Sequence, residues 1–132
     1  MTTPTEVRSD APSAARPPRW APLADAIVLV VFVAIGRRSH GLEETGLRWF
    51  LTVLWPIALA WTVGALTLSL YRARTGEFGR LLGTILTAVL LGGLLRAFTP
   101  GRAMFSAFTV VLACGLSLGT FGWRVGLRVS RR

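Results

Sequence analysis

Four stretches of almost uninterrupted apolar residues make up most of the chain, and short polar segments separate them. The stretches cover residues 20–36, 49–70, 81–98 and 103–123. The second stretch carries no charge from Trp49 to Leu70, and at about 1.5 Å per residue it is long enough to cross a bilayer core of about 30 Å. The pattern therefore predicts four transmembrane helices.

Two other interpretations of these stretches fit the residues less well. A soluble bundle needs a polar outer face on every helix, whereas the second stretch offers only three threonines and one serine. A cleaved signal peptide needs a small-x-small cleavage site after its apolar core, whereas Gly36 is followed directly by Arg37 and Arg38. Both alternatives are therefore disfavoured.

The predicted domain organisation follows from the same pattern. Residues 1–19 are rich in proline, threonine, serine and mixed charges and show no apolar period, so they predict a disordered tail. Residues 20–126 form the transmembrane domain, and residues 127–132 form a basic cytoplasmic tail. Because the connections are short, neighbouring helices are expected to run antiparallel. The expected fold class is all-α, a polytopic membrane protein built as a compact bundle of four transmembrane helices.

Composition narrows the possible functions. Of the 132 residues 52% are hydrophobic, the mean hydropathy is +0.56, and the formal net charge is +9. This hydrophobicity excludes a largely disordered chain. The basic residues are all arginines spread along predicted helix ends, so nucleic-acid binding is not expected. With one cysteine and one histidine, neither an intrachain disulfide nor a Cys/His zinc site can form, and we expect no metal and no cofactor.

The arginines also set the predicted orientation. With a cytoplasmic N-terminus, ten arginines face the cytoplasm and five face outward. The positive-inside rule therefore places both termini in the cytoplasm. The inner set is Arg8, Arg16, Arg19, Arg72, Arg74, Arg80, Arg124, Arg128, Arg131 and Arg132, and the outer set is Arg37, Arg38, Arg48, Arg96 and Arg102.

A series of short motifs runs through the four stretches. They are Asp25, Phe32, Gly36-Arg37-Arg38-Ser39-His40, Trp55-Pro56, Gly92-Gly93-Leu94-Leu95-Arg96 and Gly122-Trp123-Arg124. In this order they resemble the DUF3054 family of small, mainly actinobacterial membrane proteins. The resemblance extends from Ala21 to Arg128, although Ile85 and Leu86 stand where the family commonly has a tryptophan. It implies a four-span protein of the bacterial inner membrane and supplies no activity or catalytic residues, because the family is a domain of unknown function.

Asp25 is the most distinctive polar residue of the first stretch. It follows Trp20 by five residues, which places it about 7 Å into the membrane core. One hypothesis makes Asp25 a protonatable coupling group, since intramembrane acids usually face the bundle or a wet cavity. Hydroxyls predicted at the same depth are those of Thr67, Thr84, Thr87, Ser117 and Thr120. The alternative pairs Asp25 with Arg80 or Arg124 and leaves the hydroxyls bonded to carbonyls of their own helices.

A basic segment after the first stretch is a candidate anion site. Arg37, Arg38 and His40 are predicted to lie on the same side of the membrane as Arg96. Guanidinium groups bind phosphate headgroups or anionic substrates. The alternative is that these arginines extend from a helix end to the interface and are balanced by the two glutamates of the same loop. A lone histidine is not expected to bind a metal.

Glycines at spacings of three and four residues predict close helix packing. They are Gly79 and Gly83 at the start of the third stretch, and Gly115, Gly119, Gly122 and Gly126 in and after the fourth. Either the third and fourth helices pack through these glycines, or the glycines form a dimer contact between two bundles.

The chain shows no glycine-rich phosphate loop, no HExxH motif and no visible Ser/His/Asp set, so we do not expect an enzyme. The expected function is a structural, accessory or lipid-interacting role in the membrane. Candidate partners are the bilayer, its anionic headgroups and a second copy of the chain. The alternative function is a small oligomeric transporter or channel with Asp25 as its proton- or ion-coupling group.

Overall fold

Four α-helices account for most of the residues that the computed structural model describes, which are residues 16–39, 46–72, 75–98 and 107–130. The helices are α1 Ala21–Ser39, α2 Gly46–Thr67, α3 Glu77–Ala97 and α4 Ala107–Ser130. The described residues contain no strand. The predicted all-α class is therefore confirmed.

The helices are arranged so that each packs against its neighbours in the chain, and α4 closes the bundle against α1. The α2–α3 interface is the most extensive one, because small residues let the two backbones approach. A Cβ atom added to Gly64 of α2 would lie 3.0 Å from the Cβ atom of Thr87 and 3.2 Å from the Cα atom of Thr84 in α3. This closeness shows that the α2 and α3 backbones approach each other at Gly64.

Both the centre and the outer faces of the bundle are apolar. Each helix buries large aliphatic residues at the centre: Leu29 and Val33 of α1, Ile57 of α2, Leu81 and Ile85 of α3, and Leu112 and Leu116 of α4. Each helix also exposes large hydrophobic side chains, among them Ile27, Val31, Leu51, Leu59, Leu86, Leu90, Val110 and Leu118. Helices that are apolar all round are typical of a bilayer environment.

Three of the four helices, α2, α3 and α4, are long and apolar enough to cross a membrane. α1 does not reach that standard, because its 19 residues include Asp25, Arg37 and Arg38. Among the described residues, length and composition therefore support three spans, where the sequence pattern predicts four.

Several helix ends differ from the sequence-based boundaries, and two of these ends carry paired charges. α3 begins at Glu77, earlier than the predicted residue 81, and α4 continues to Ser130, beyond the predicted residue 123. Residues 127–130 are therefore helical. The physical reason is that charged residues at these positions are paired between α3 and α4, so a charge does not mark the end of either helix.

Candidate functional site

A group of polar side chains connects all four helices at the end of the bundle where α1 begins. We call this group the charged cluster and define it as Asp25, Tyr71, Glu77, Trp123, Arg124 and Arg128. Asp25 lies in the first turns of α1, Tyr71 follows α2, Glu77 opens α3, and the other three belong to the last part of α4. An acid at the first turn of α3 is also favoured by the helix dipole.

The carboxylate of Asp25 is fully buried and accepts four hydrogen bonds. Arg124 donates to Oδ1 through Nη1 at 2.7 Å and to Oδ2 through Nη2 at 2.8 Å. The indole Nε1 of Trp123 donates to Oδ1 at 2.9 Å, and the Tyr71 hydroxyl donates to Oδ2 at 2.8 Å. A carboxylate offers about four lone-pair sites, so the hydrogen-bonding capacity of Asp25 is filled.

Arg124 connects the two acids of the cluster. Its side chain is 2% exposed, and its Nε donates to Oε1 of Glu77 at 3.0 Å while both Nη atoms bind Asp25. Glu77 also accepts a hydrogen bond from Nη2 of Arg128 at 2.7 Å. Acidic and basic side chains alternate through the cluster, so each buried charge contacts a side chain of opposite charge. A charged side chain can be buried away from water only when it is paired in this way.

Tyr71 extends the cluster toward α2. Its hydroxyl oxygen accepts a hydrogen bond from Nε1 of the buried Trp61 at 3.1 Å while the hydroxyl donates to Asp25. Burial, together with the negative charge of Asp25, raises the pKa of Tyr71 well above its ordinary value. Tyr71 is therefore held in its neutral form, as a hydrogen-bond donor to the carboxylate.

The hydroxyls predicted at the depth of Asp25 do not form a polar layer with it. Thr67, Thr84, Thr87 and Thr120 each donate to the carbonyl four residues earlier in their own helix, at 2.5 to 2.9 Å. Arg80 donates to the carbonyl of Leu68 and not to Asp25. Within the described part of the chain, no buried side-chain nitrogen or oxygen lacks a hydrogen-bond partner. These contacts are those expected of the alternative in which Asp25 is paired with arginine.

A second feature is an apolar groove between α1 and α4, with a volume of about 880 Å³. Its walls are aliphatic and aromatic side chains such as Val31 and Val111, and its floor includes Gly115 and Gly119. Arg96, at the end of α3, is the one charged residue among the described residues that line it. The Arg96 guanidinium lies 3.9 Å from the centre of the Phe108 ring. The groove is therefore apolar along its length and basic at one end.

The residues of the predicted anion site are only partly brought together. Arg37 and Arg38 lie in the last turn of α1 and line a smaller cavity with Ala34 and Phe50, whereas Arg96 lines the α1–α4 groove. All three lie at the end of the bundle opposite the charged cluster, since α1 and α3 both end there. His40 lies outside the described residues.

The glycines of the predicted packing pattern contact different helices. A Cβ atom on Gly115 would lie 2.5 Å from the Phe32 ring, and one on Gly119 would lie 2.5 Å from Cγ1 of Val28, so both glycines face α1 rather than α3. Gly83 faces Leu68. Nothing lies within 4 Å of a Cβ atom placed on Gly79, Gly122 or Gly126. Gly115 and Gly119 therefore belong to the contact between α1 and α4.

The sequence pattern indicates Asp25 and, as one of two alternatives, its pairing with Arg124, but it does not indicate the other members of the charged cluster. Glu77 precedes the third apolar stretch, so the hydrophobic pattern does not place it in a helix. Tyr71 and Trp123 lie near the ends of predicted helices, a position that is typical of aromatic residues at the membrane interface. A signal was present, because Glu77 and Arg124 are both charged residues at stretch ends on the same predicted side.

Comparison with known proteins gives one informative match. A family model described as a protein of unknown function, DUF3054, matches residues 23–127. The matched region contains the whole α1–α4 groove and every member of the charged cluster except Arg128. Neither the curated proteins nor the solved structures provide a match.

Proposed function

We propose that this chain, which belongs to the DUF3054 family, is a non-enzymatic membrane protein that binds an anionic lipid between α1 and α4. The observation that carries the proposal is the groove of about 880 Å³ with apolar walls and Arg96 at one end. The volume lies in the range of pockets that hold small apolar ligands. An acyl chain would occupy the apolar length of the groove, and the headgroup would lie at its basic end.

Charge complementarity selects an anionic lipid over a neutral one. Arg96 is half-buried and its guanidinium is stacked on Phe108, which orients the group beside the groove. Arginine forms bidentate hydrogen bonds with phosphate oxygens. Arg37 and Arg38 lie at the same end of the bundle, so they add positive potential for a phosphate headgroup.

The charged cluster favours a lipid-binding role over ion transport. A coupling acid must exchange protons or ions with water during its cycle, whereas Asp25 is fully buried and its four hydrogen bonds use the whole carboxylate. We infer that Asp25 is a structural group that fixes α1 to α4.

We further propose that α1 crosses the membrane and that the chain has four spans with both termini on the cytoplasmic side of the inner membrane. The charge of Asp25 is compensated by Arg124, and Arg37 and Arg38 lie in the last turn of the helix, where they can reach the interface. Between Asp25 and Arg37, α1 exposes the apolar side chains of Ile27 and Val31. These features support a spanning α1 despite its charges.

Lipid retention measured by native mass spectrometry tests the lipid-binding proposal. The protein is released from nanodiscs that contain equal amounts of phosphatidylglycerol and phosphatidylcholine. Val111→Trp fills the groove, and Arg96→Gln removes its basic end. Because one charge-assisted hydrogen bond corresponds to about tenfold in affinity, we expect Arg96→Gln to lower phosphatidylglycerol retention about tenfold. We expect Val111→Trp to lower it as well, because the added ring occupies the space of the acyl chain.

Two matched variants control for surface changes. Leu118→Trp introduces the same ring at an exposed position of α4 that does not line the groove, and Arg48→Gln removes an exposed arginine near the same end of the bundle. Both should retain phosphatidylglycerol as the wild type does. Equal retention by all four variants would exclude the groove as the lipid site. Proton flux in proteoliposomes that disappears in Asp25→Asn would favour the transporter.

A further inference from the structure

A second concave site lies at the cluster end of the bundle, beside Tyr71. It is a cavity of about 630 Å³. Three arginines from two separate segments line it: Arg16 and Arg19 precede α1, and Arg72 follows α2. The other described lining residues are Pro17, Pro18, Pro22 and Tyr71. The segment before α1 and the segment after α2 therefore bring three positive charges to one cavity.

No described acid neutralises these arginines. Both acids of the neighbouring charged cluster are engaged elsewhere, Asp25 by four hydrogen bonds and Glu77 by two arginines of α4. Among the residues that the structure describes, no salt bridge involves any of the three cavity arginines. Three like charges around one cavity repel one another, and an anion bound between them would remove that repulsion.

The segment that carries Arg16 and Arg19 is fixed to the bundle. Its two consecutive prolines restrict the backbone φ angle, and the carbonyl of Pro18 accepts a hydrogen bond from the backbone N–H of Ala21 at 2.9 Å. The Trp20 ring packs against Trp123 of α4 with 5.2 Å between ring centroids. The cavity is thus preorganised, which lowers the entropy lost when a ligand binds.

We propose that Arg16, Arg19 and Arg72 form a binding site for a phosphate group. Guanidinium groups match phosphate oxygens in geometry and charge, and the cavity offers no described carboxylate that would repel the ligand. The phosphate belongs either to a lipid headgroup or to a soluble phosphate compound. The site lies at the opposite end of the bundle from Arg96, so it is independent of the groove and of the function proposed for it.

Binding measurements on the full-length protein test this site. The variant Arg16→Gln/Arg19→Gln/Arg72→Gln is compared with Arg8→Gln/Arg131→Gln/Arg132→Gln, which removes the same three charges from the chain and keeps Arg16, Arg19 and Arg72. One arm measures inorganic phosphate by calorimetry in a neutral detergent. The other arm measures phosphatidylglycerol retention in nanodiscs that also contain phosphatidylcholine, with both triple variants in the Arg96→Gln background so that the groove does not contribute.

We expect the cavity variant to lose about tenfold or more in affinity, since each guanidinium–phosphate hydrogen bond lost is worth roughly that factor, while the control variant keeps wild-type affinity. Loss in both arms assigns a general phosphate site, and loss in the lipid arm alone assigns a headgroup site. Loss in the phosphate arm alone assigns a site for a soluble compound. An equal effect of the two triple variants, or no measurable binding in either arm, overturns the proposal. Because the three arginines are exposed, unchanged thermal stability is expected and shows that the fold is intact.

Discussion

Asp25 and Arg124 are 99 positions apart in the chain, yet their side chains share two hydrogen bonds of 2.7 and 2.8 Å inside the bundle. The pair joins the first helix to the last, and Glu77 extends it to α3. A buried ion pair contributes little net stability when it is compared with well-packed apolar residues, but removing one partner leaves an uncompensated buried charge. The pair therefore fixes the arrangement of the helices more than it adds to the free energy of unfolding.

Asp25→Asn is expected to lower the free energy of unfolding by about 3–5 kcal/mol, because Arg124 then keeps its charge without the Asp25 carboxylate. Arg124→Gln should have an effect of similar size, because it leaves the buried carboxylate of Asp25 without a compensating positive charge. The measurement is unfolding in mixed micelles with increasing denaturing detergent, followed by tryptophan fluorescence.

The double variant Asp25→Asn/Arg124→Gln provides the control for this pair. Because both charges are absent, its loss should be smaller than the sum of the two single losses by about 1–3 kcal/mol. Additive losses would contradict the coupling that the contact predicts. Arg48→Gln, which removes an exposed arginine of α2, should change the free energy of unfolding by less than about 0.5 kcal/mol.

The pH dependence of unfolding should report on Tyr71, the only tyrosine of the chain. The folded state raises the pKa of Tyr71, so the folded protein binds this proton more tightly than the unfolded chain. The resulting stability is fully present below pH about 10 and is lost as the pH rises from there through the folded pKa. Ultraviolet absorbance of the tyrosinate ion, measured during an alkaline titration, should therefore appear only well above pH 10 or together with unfolding.

Tyr71→Phe separates this hydrogen bond from the rest of the charged cluster. The substitution removes one donor to Asp25 and one acceptor for Trp61, and it should cost about 1–3 kcal/mol at neutral pH. The loss of stability that begins near pH 10 should become smaller than in the wild type. An unchanged profile above that pH would show that Tyr71 titrates normally in the folded protein.

Gly119→Ala should destabilise the contact between α1 and α4. The added Cβ atom would lie 2.5 Å from Cγ1 of Val28, and a β-branched side chain in a helix has almost no alternative rotamer. We expect a loss of about 1–3 kcal/mol. Gly122→Ala on the same helix meets no atom within 4 Å, so it should be neutral or stabilise by up to about 1 kcal/mol through helix propensity. Thermal unfolding in detergent compares the two variants, and similar melting temperatures would contradict the close approach.

The number of spans can be counted from the positions of the two termini. Four spans place both termini on the same side of the membrane, and three spans place them on opposite sides. Single cysteines introduced as Thr3→Cys or Ser130→Cys, each in a Cys114→Ala background, are labelled with a membrane-impermeant maleimide. Both should react only after the cytoplasmic side is made accessible. Reaction of one cysteine in intact cells and of the other only after permeabilisation would show that α1 does not cross.

Much of the fold could be predicted from the sequence because the apolar stretches are long and the signal is local. Trp49 to Leu70 predicts one helix, and α2 covers nearly the same residues. The start of α3 and the end of α4 are predicted less well, since a charged residue ends an apolar stretch in the sequence but not the helix in the structure. In the structure Glu77 and Arg124 are paired across two helices, and such a pairing depends on contacts that no local pattern encodes.

The candidate site was harder to predict for the same reason. A buried acid in α1 restricts the possible partners to a few arginines, and the sequence offers Arg80 and Arg124 as alternatives. Which arginine pairs with Asp25 depends on the rotation of α4 about its axis. That rotation is set where the side chains of Phe32 and Val28 of α1 pack against Gly115 and Gly119. The arginine cavity depends on the path of the chain before α1 and after α2, which the apolar pattern does not describe.

The distance along the chain between Asp25 and its partner also constrains biogenesis. The ribosome completes α1 long before it reaches residue 124, so Asp25 enters the membrane region while the guanidinium that compensates it does not yet exist. An ionised carboxylate is costly in lipid, and α1, which carries Asp25, Arg37 and Arg38, is the one described helix that does not meet the length and composition standard for a span. In the proposed four-span arrangement, stable insertion of the first helix therefore depends on the last one, and a chain truncated before Arg124 should fail quality control even though three complete helices have been made.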